Sequence, residues 1–212
     1  MPDRLLGILL FLPVPVVLVL FTRAPLGVGI SLALGVGLML THRLYARPFA
    51  LARAARRCLY CGGSVSAPGT PVRLVEPLGS TVWAACREAH AGAVGRAFGW
   101  AERNRRPLLA GILGTLAGFL VAMPLAAGGW LAPLLPADLV AGFRLGVALT
   151  VLPLGWLAVS RGPLAAEPRV PFPVHIQALI GTAAVLWLFR LVGLLWLAQG
   201  LWHLLARLGF LR

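Results

Sequence analysis

Long apolar blocks alternate with shorter polar stretches along this chain. Five such blocks run over about 5–21, 26–40, 108–125, 140–159 and 176–197. Separate blocks of this length are typical of membrane-spanning helices, each of which needs about 20 mainly apolar residues. We therefore predict an all-α polytopic membrane protein with about five transmembrane helices.

The polar stretches between the blocks set the predicted domain limits. They predict a transmembrane hairpin (1–42) and then a basic loop (43–107) with an inserted module (58–103). Two further transmembrane helices (108–160), a proline-rich connection (161–175) and a fifth helix with an amphipathic tail (176–212) follow. Arg190 interrupts the last block. A four-span version, in which the final segment lies on or re-enters the membrane, remains the alternative.

Composition supports a membrane protein and excludes an ordinary soluble domain. Hydrophobic residues make up 59% of the chain, charged residues only 12%, and the mean hydropathy is +0.89. The net charge is +13, and all 19 basic residues are arginine. Such a charge suggests nucleic-acid binding, but here the arginines flank apolar blocks. Membrane topology explains them better, so we predict no nucleic-acid partner.

Arginine placement also predicts orientation. The stretch 42–107 carries eleven Arg against three Glu, whereas the short connection after the first block has only Arg23. Basic residues concentrate in short cytoplasmic loops. We therefore predict that the loop 43–107 and the N-terminus lie in the cytoplasm, with the chain in an inner or plasma membrane.

The loop holds the only clear chemical motif. Cys58 and Cys61 form a C-x-x-C pair followed by two glycines, and Cys86 and His90 form a C-x-x-x-H pair. On a helix, predicted over about 84–103, residues four apart share a face and point at one ion. Between the pairs, "VRLVE" and "TVWAA" predict two short strands joined by "PLGS". Four such ligands favour tetrahedral Zn²⁺.

This stretch resembles a known group of small zinc modules. "CLYCGG" and "WAACREAH" resemble the treble-clef modules of the CxxCG…CxxxC type, including TRASH-like and zinc-ribbon domains, over about residues 58–90. His90 stands where that group usually has Cys, and Ala85 stands where an aromatic residue precedes the third ligand. The resemblance implies bound zinc, held structurally or in metal sensing or trafficking. The membrane part resembles no family that we recognise.

Other roles for the cysteines are weighed against zinc. They can be small buried hydrophobes, or Cys58 and Cys61 can form a disulfide, which the reducing cytoplasm disfavours. A redox C-x-x-C needs a thioredoxin-like setting, and none is visible. A catalytic zinc needs an open position and an acid–base group, and Glu88 is predicted to face away from the ligands.

Two arginines lie inside apolar blocks. Arg144 and Arg190 are both predicted in the outer half of the membrane, where Arg23 can join them. Charge at membrane depth is a functional hypothesis, here an outer pocket for an anionic lipid headgroup. The alternative is that Arg144 extends its side chain to the interface and pairs with Asp138.

The sequence therefore predicts a function in outline. The leading hypothesis is a non-enzymatic scaffold, assembly or regulatory subunit whose zinc head docks a cytoplasmic protein partner, with anionic lipid headgroups as further contacts. The alternatives are a metal-sensing or metal-trafficking protein, and an enzyme or flippase that acts on an anionic lipid through Arg144 and Arg190. No nucleotide-binding or hydrolase motif is visible.

Overall fold

The protein is mainly helical and contains one small sheet. A computed structural model describes residues 2–13, 16, 28–66, 69–76, 79–131, 135–165, 167–170 and 174–210. The chain divides into two compact units. Unit 1 comprises Met1–Glu102 and Ala158–Val185, and unit 2 comprises Arg103–Leu157 and Leu186–Arg212.

Unit 1 combines short helices with a β-hairpin. Its elements are α1 (Pro2–Phe11), α2 (Val28–Thr41), a π-helical turn (His42–Ala46), α3 (Arg47–Leu51), β1 (Thr70–Glu76), β2 (Gly79–Ala85), α4 (Glu88–Arg103) and α7 (Val174–Ile180). The α2 helix, the π turn and α3 follow one another without a break, so helix continues well past the end of the second apolar block. Gly7 of α1 lies so close to the Leu179 carbonyl that a side chain there would collide with it. This glycine allows α1 to pack on α7.

The hairpin of unit 1 is the one that the sequence predicts. The strands β1 and β2 are antiparallel, and the register runs from the pair Thr70 and Ala85 to the pair Glu76 and Gly79. Leu74 is fully buried, and Trp83 of β2 is 2% exposed. The alternating burial of β1 is the pattern of a strand that covers a core with one face.

The helix after the hairpin begins later than predicted. The strand β2 continues to Ala85, Cys86 and Arg87 form a bend, and α4 begins at Glu88. The expected start near Ala84 is wrong because Ala85 still pairs with Thr70 across the sheet. Cys86 therefore lies before the helix, and only His90 lies in its first turn.

Part of the proline-rich connection packs against the hairpin and α4, and we call its described residues 162–165 and 167–170 the strap. The Val75 N–H donates to the Pro168 carbonyl at 3.1 Å, and the Val170 N–H donates to the Val75 carbonyl at 2.9 Å. A Cβ at Gly99 of α4 would collide with the Pro163 carbonyl. The strap thus covers a glycine face of α4 and extends the edge of β1.

Three helices are long and apolar enough to cross a membrane. They are α5 (Arg105–Ala127), α6 (Pro136–Arg161) and α8 (Thr182–Arg207). Their apolar windows have mean hydropathies of 2.1, 1.6 and 1.7. This finding supports a membrane protein. Within the region of the first two predicted spans, residues 14, 15 and 17–27 lie outside the described residues.

Glycine allows α5 and α6 to approach each other within unit 2. A Cβ at Gly111 of α5 would lie 2.5 Å from the Thr150 hydroxyl of α6, and one at Gly146 would lie 2.6 Å from the Thr115 hydroxyl. Each helix thus contributes one glycine and one threonine to the contact. Small residues at helix interfaces are typical of membrane bundles, in which close backbone approach replaces hydrophobic burial.

Candidate metal centre

The first two cysteines lie on a tight turn that only glycine can complete. The Cys58 N–H donates to the Gly63 carbonyl at 2.8 Å, and the Gly62 N–H donates to the Cys58 carbonyl at 2.8 Å. Gly62 has a φ of 67°, and a Cβ there would lie 2.8 Å from the Ile180 carbonyl oxygen. A side chain would therefore meet both backbone strain and a clash. We call residues 58–63 the knuckle.

The second pair reaches the knuckle through the end of β2. The Leu59 N–H donates to the Ala84 carbonyl at 2.9 Å. This bond places the knuckle beside the last residues of β2, so Cys86 follows directly into the same space. One turn later the His90 N–H donates to the Arg87 carbonyl at 3.0 Å as α4 begins.

All four predicted ligands converge. Their ligand atoms lie within 4.8 Å of one another, and within the described part of the chain they form the only cluster of three or more Cys, His, Asp or Glu ligand atoms. His90 Nδ1 lies 3.1 Å from Cys86 Sγ and 3.5 Å from Cys58 Sγ. Cys61 Sγ lies 3.9 Å from Cys86 Sγ.

These separations fit a tetrahedral metal ion. With Zn–S near 2.3 Å and Zn–N near 2.0–2.1 Å, tetrahedral geometry requires about 3.8 Å between two sulfurs and about 3.6 Å between sulfur and nitrogen. The three distances given above lie within about half an ångström of these values, and the four atoms spread over at most 4.8 Å, so a small inward shift would complete the tetrahedron. Three thiolates and one imidazole would complete a four-coordinate shell without water, which is the arrangement of structural metal sites.

Electrostatics around the thiols also suits a cation. Burial raises the pKa of the Cys58 thiol, but backbone N–H groups of Cys61, Cys86 and Tyr60 outweigh it, so that this pKa falls below the usual value. Burial, together with the neighbouring thiols of Cys58 and Cys61, raises the pKa of Cys86 to about 11. A bound cation offsets the repulsion among thiolates, so metal binding here releases protons.

The histidine ligand is neutral and oriented by its neighbours. Burial and then the Arg87 charge lower the pKa of His90, and a neutral imidazole is the metal-binding form. Its ring lies 4.9 Å from the Tyr60 ring, centroid to centroid. His90 Nε2 also lies 2.8 Å from Arg87 Nη2. An ion on Nδ1 would leave the proton on Nε2, which could then no longer accept from Arg87, so the Arg87 side chain would have to turn away.

The cluster is half open to solvent. Cys58 is buried, whereas Cys61 and Cys86 are exposed. One face of the centre therefore belongs to the core of unit 1, and the other is accessible to solvent or to a partner molecule.

The knuckle also contacts α7 and α8 in a way that no sequence motif indicates. The N–H groups of Thr182 and Ala183, in the first turn of α8, donate to the Leu59 and Tyr60 carbonyls at 2.8 and 2.9 Å. The first N–H groups of a helix have no partner within it. The Leu59 and Tyr60 carbonyls supply those partners, although they lie more than 120 residues before α8 in the sequence.

The two arginines of the predicted anion site, Arg144 and Arg190, lie at different levels along the axis of α6. Arg190 Nε donates to the Gly155 carbonyl at 2.7 Å, and its guanidinium lies 4.9 Å from the Trp156 ring and 4.6 Å from the Trp187 ring. Arg144 lies eleven residues before Gly155 on α6, or about 16 Å along the helix axis. The structure therefore does not bring Arg144 and Arg190 together, and Arg23 lies outside the described residues. Anion binding at these residues stays a prediction.

Asp138 has its own partners in unit 2. His203 Nε2 lies 2.8 Å from Asp138 Oδ1, and Arg207 Nε lies 3.7 Å from the same oxygen. These contacts join the start of α6 to the end of α8. His203 and Arg207 are one helical turn apart on α8, so both side chains reach the same carboxylate.

No family model, curated protein or solved structure matches this chain. The assignment of the metal centre therefore rests on its ligand geometry.

Proposed function

We propose that the protein is an integral membrane scaffold, assembly or regulatory subunit whose Zn²⁺-stabilised head docks a cytoplasmic protein partner. The observation that carries this proposal is the closed Cys58–Cys61–Cys86–His90 ligand set, which has no carboxylate among its members. A site with four protein ligands suits structural metal better than catalysis.

The metal accounts for the folding of the head. Its sheet has only two strands, which give little independent stability. The ligands come from the knuckle, the bend after β2 and the first turn of α4, so one ion joins three parts of unit 1. The binding free energy of such a site is folding free energy. In this proposal the module is treble-clef-like, and zinc is its ion.

Membrane placement completes the proposal. The three apolar helices α5, α6 and α8, with the two earlier apolar blocks, make about five spans in an inner or plasma membrane. The arginine-rich stretch 43–107 supports a cytoplasmic head, because basic residues concentrate in cytoplasmic loops. Arg103, Arg105 and Arg106 are exposed where α4 meets α5, and they contact anionic lipid headgroups there.

A second candidate function is metal sensing or trafficking. The exposure of Cys61 and Cys86 favours it, because a partner or chelator has access to two of the four ligands. Thiolate-rich sites also bind Cu⁺. An anionic-lipid enzyme or flippase has weaker support, because the Arg190 guanidinium already contacts a carbonyl and two indole rings.

The docking proposal is tested on the protein taken from native membranes in mild detergent. We expect an assembly heavier than the chain, with a second protein in fixed ratio, that is lost in Cys86→Ser. His203→Gln, a change in unit 2, serves as the matched control and should keep the assembly.

Two outcomes separate the candidates. An assembly that survives Cys86→Ser contradicts docking through the metal head. Metal that leaves the wild-type protein rapidly when a chelator is added, without unfolding, favours the trafficking function.

A further inference from the structure

A second group of metal-binding side chains lies in unit 1, away from the cysteines. His42 is the first residue of the π-helical turn, and His175 is the second residue of α7. Their ring centroids lie 5.9 Å apart, and the ring planes are tilted by 54°. Each residue is 7% exposed. The fold thus brings together two buried imidazoles from positions 133 residues apart.

Both imidazoles lack hydrogen-bond partners. Over the described part of the chain, neither ring nitrogen of His42 nor of His175 has one. Leaving a buried polar group unpaired costs about 1–3 kcal/mol, and an ion held between the two rings would give one nitrogen of each ring a partner. His42 also opens a π turn, and such turns are rare and frequently mark functional sites.

The two rings are in the form that binds metal. Burial lowers the pKa of His42. Burial, then His42 and the charge of Arg47, lower the pKa of His175 to about 4. Both side chains are therefore neutral near pH 7, with a ring lone pair available on each.

We propose that His42 and His175 together bind one Cu⁺ ion as a two-coordinate bis-imidazole site, separate from the Cys₃His centre. The ring separation lies in the range that one shared ion requires. Taking the Zn–N bond length of about 2.0–2.1 Å as a guide, two rings on one ion have centroids about 5.2 Å apart at the tetrahedral angle and about 6.4 Å apart when linear. The separation of 5.9 Å lies between the two values.

The number of ligands and the local charge select the ion. The cysteine centre is the only cluster of three or more candidate ligands that the described residues contain, so the histidine pair gains no third Cys, His or carboxylate. Zn²⁺ prefers four ligands, whereas Cu⁺ accepts as few as two. The nearby Arg47 charge, which acts on His175, penalises a divalent ion more than a monovalent one. Imidazole is a suitable ligand for copper.

The test uses detergent-purified, zinc-loaded protein without oxygen. Cu⁺ is added against a competing copper chelator, and bound copper and retained zinc are counted per chain. X-ray absorption at the copper edge then reports the ligands. We expect one copper per chain, with zinc retained, two nitrogens at about 2 Å and no sulfur. His42→Leu and His175→Leu should lose this copper, and His203→Gln should keep it.

Two outcomes would overturn the site: no copper bound by the wild-type protein, or bound copper that never exceeds the zinc lost and has sulfur among its ligands. Copper retained by both leucine variants would overturn it as well. The wild-type spectrum needs no substitution, so a variant that fails to fold does not leave the proposal undecided. Because the copper ligands are read separately from zinc, failure of this site is distinguishable from failure of the zinc head.

Discussion

The Thr182 hydroxyl donates to the Leu59 carbonyl oxygen at 3.0 Å, and the Thr182 N–H donates to the same oxygen at 2.8 Å. Thr182 is the first residue of α8 and is 1% exposed. Leu59 lies in the knuckle between two metal ligands. The candidate metal centre and the first turn of an apolar helix are therefore joined by buried hydrogen bonds.

Thr182→Val tests the hydroxyl bond. Valine has the same shape, and the Leu59 carbonyl keeps its bond from the Thr182 N–H, so no acceptor is left unpaired. We expect the free energy of unfolding to fall by about 0.5–1.5 kcal/mol, measured by thermal unfolding in detergent. Thr41→Val is the control, because its exposed bond to the Gly37 carbonyl lies within one helix. Equal effects from the two variants would contradict a special role for Thr182.

Gly99→Ala tests the packing of the strap on α4. Alanine favours helix over glycine by about 1 kcal/mol, yet at Gly99 its methyl group would collide with the Pro163 carbonyl. We expect lower stability and faster proteolysis within 162–170. Gly92→Ala on the same helix meets only the Arg96 guanidinium, at 3.5 Å, and should stabilise the protein. The strap contact would be refuted by a Gly99→Ala protein as stable as the Gly92→Ala protein.

Arg190→Gln tests whether this arginine is structural. The change removes cation–π contacts with Trp156 and Trp187, each worth about 0.5–2 kcal/mol. We expect a lower unfolding temperature in detergent and unchanged zinc content. Arg161→Gln, at the exposed end of α6, should behave like wild type. A variant that unfolds like wild type but no longer binds vesicles of anionic lipid would point to the lipid site instead.

Spacing alone predicts the metal ligands. C-x-x-C followed by two glycines, and C-x-x-x-H, are local patterns whose chemistry depends on near neighbours, and the structure brings all four side chains together. The hairpin between them follows from its alternating apolar residues. The predicted start of α4 near Ala84 was wrong because Ala85 pairs with Thr70 in the sheet. Helix propensity does not reveal such a pairing partner.

Contacts between distant segments could not be predicted. The Thr182–Leu59 bond, the strap on β1 and the His42–His175 pair join residues 93 to 133 positions apart. No local periodicity records such contacts. The prolines of the strap predict an extended connection, but they do not predict that it forms hydrogen bonds with β1. The sequence also placed Arg144 and Arg190 in one half of the membrane, whereas Arg190 lies beside Gly155, nearer the other end of α6.

The most direct test of a structural zinc head is the metal content of the detergent-purified protein, wild type beside Cys86→Ser, with limited proteolysis of both. His203→Gln serves as the control. We expect one tightly held zinc per wild-type and control chain. We expect weakened or lost zinc in Cys86→Ser, with new cleavage within 58–103, because the ion supplies the folding free energy of the head. A wild-type protein without metal, or a Cys86→Ser protein with the same metal content and the same protease resistance, would contradict a structural zinc head.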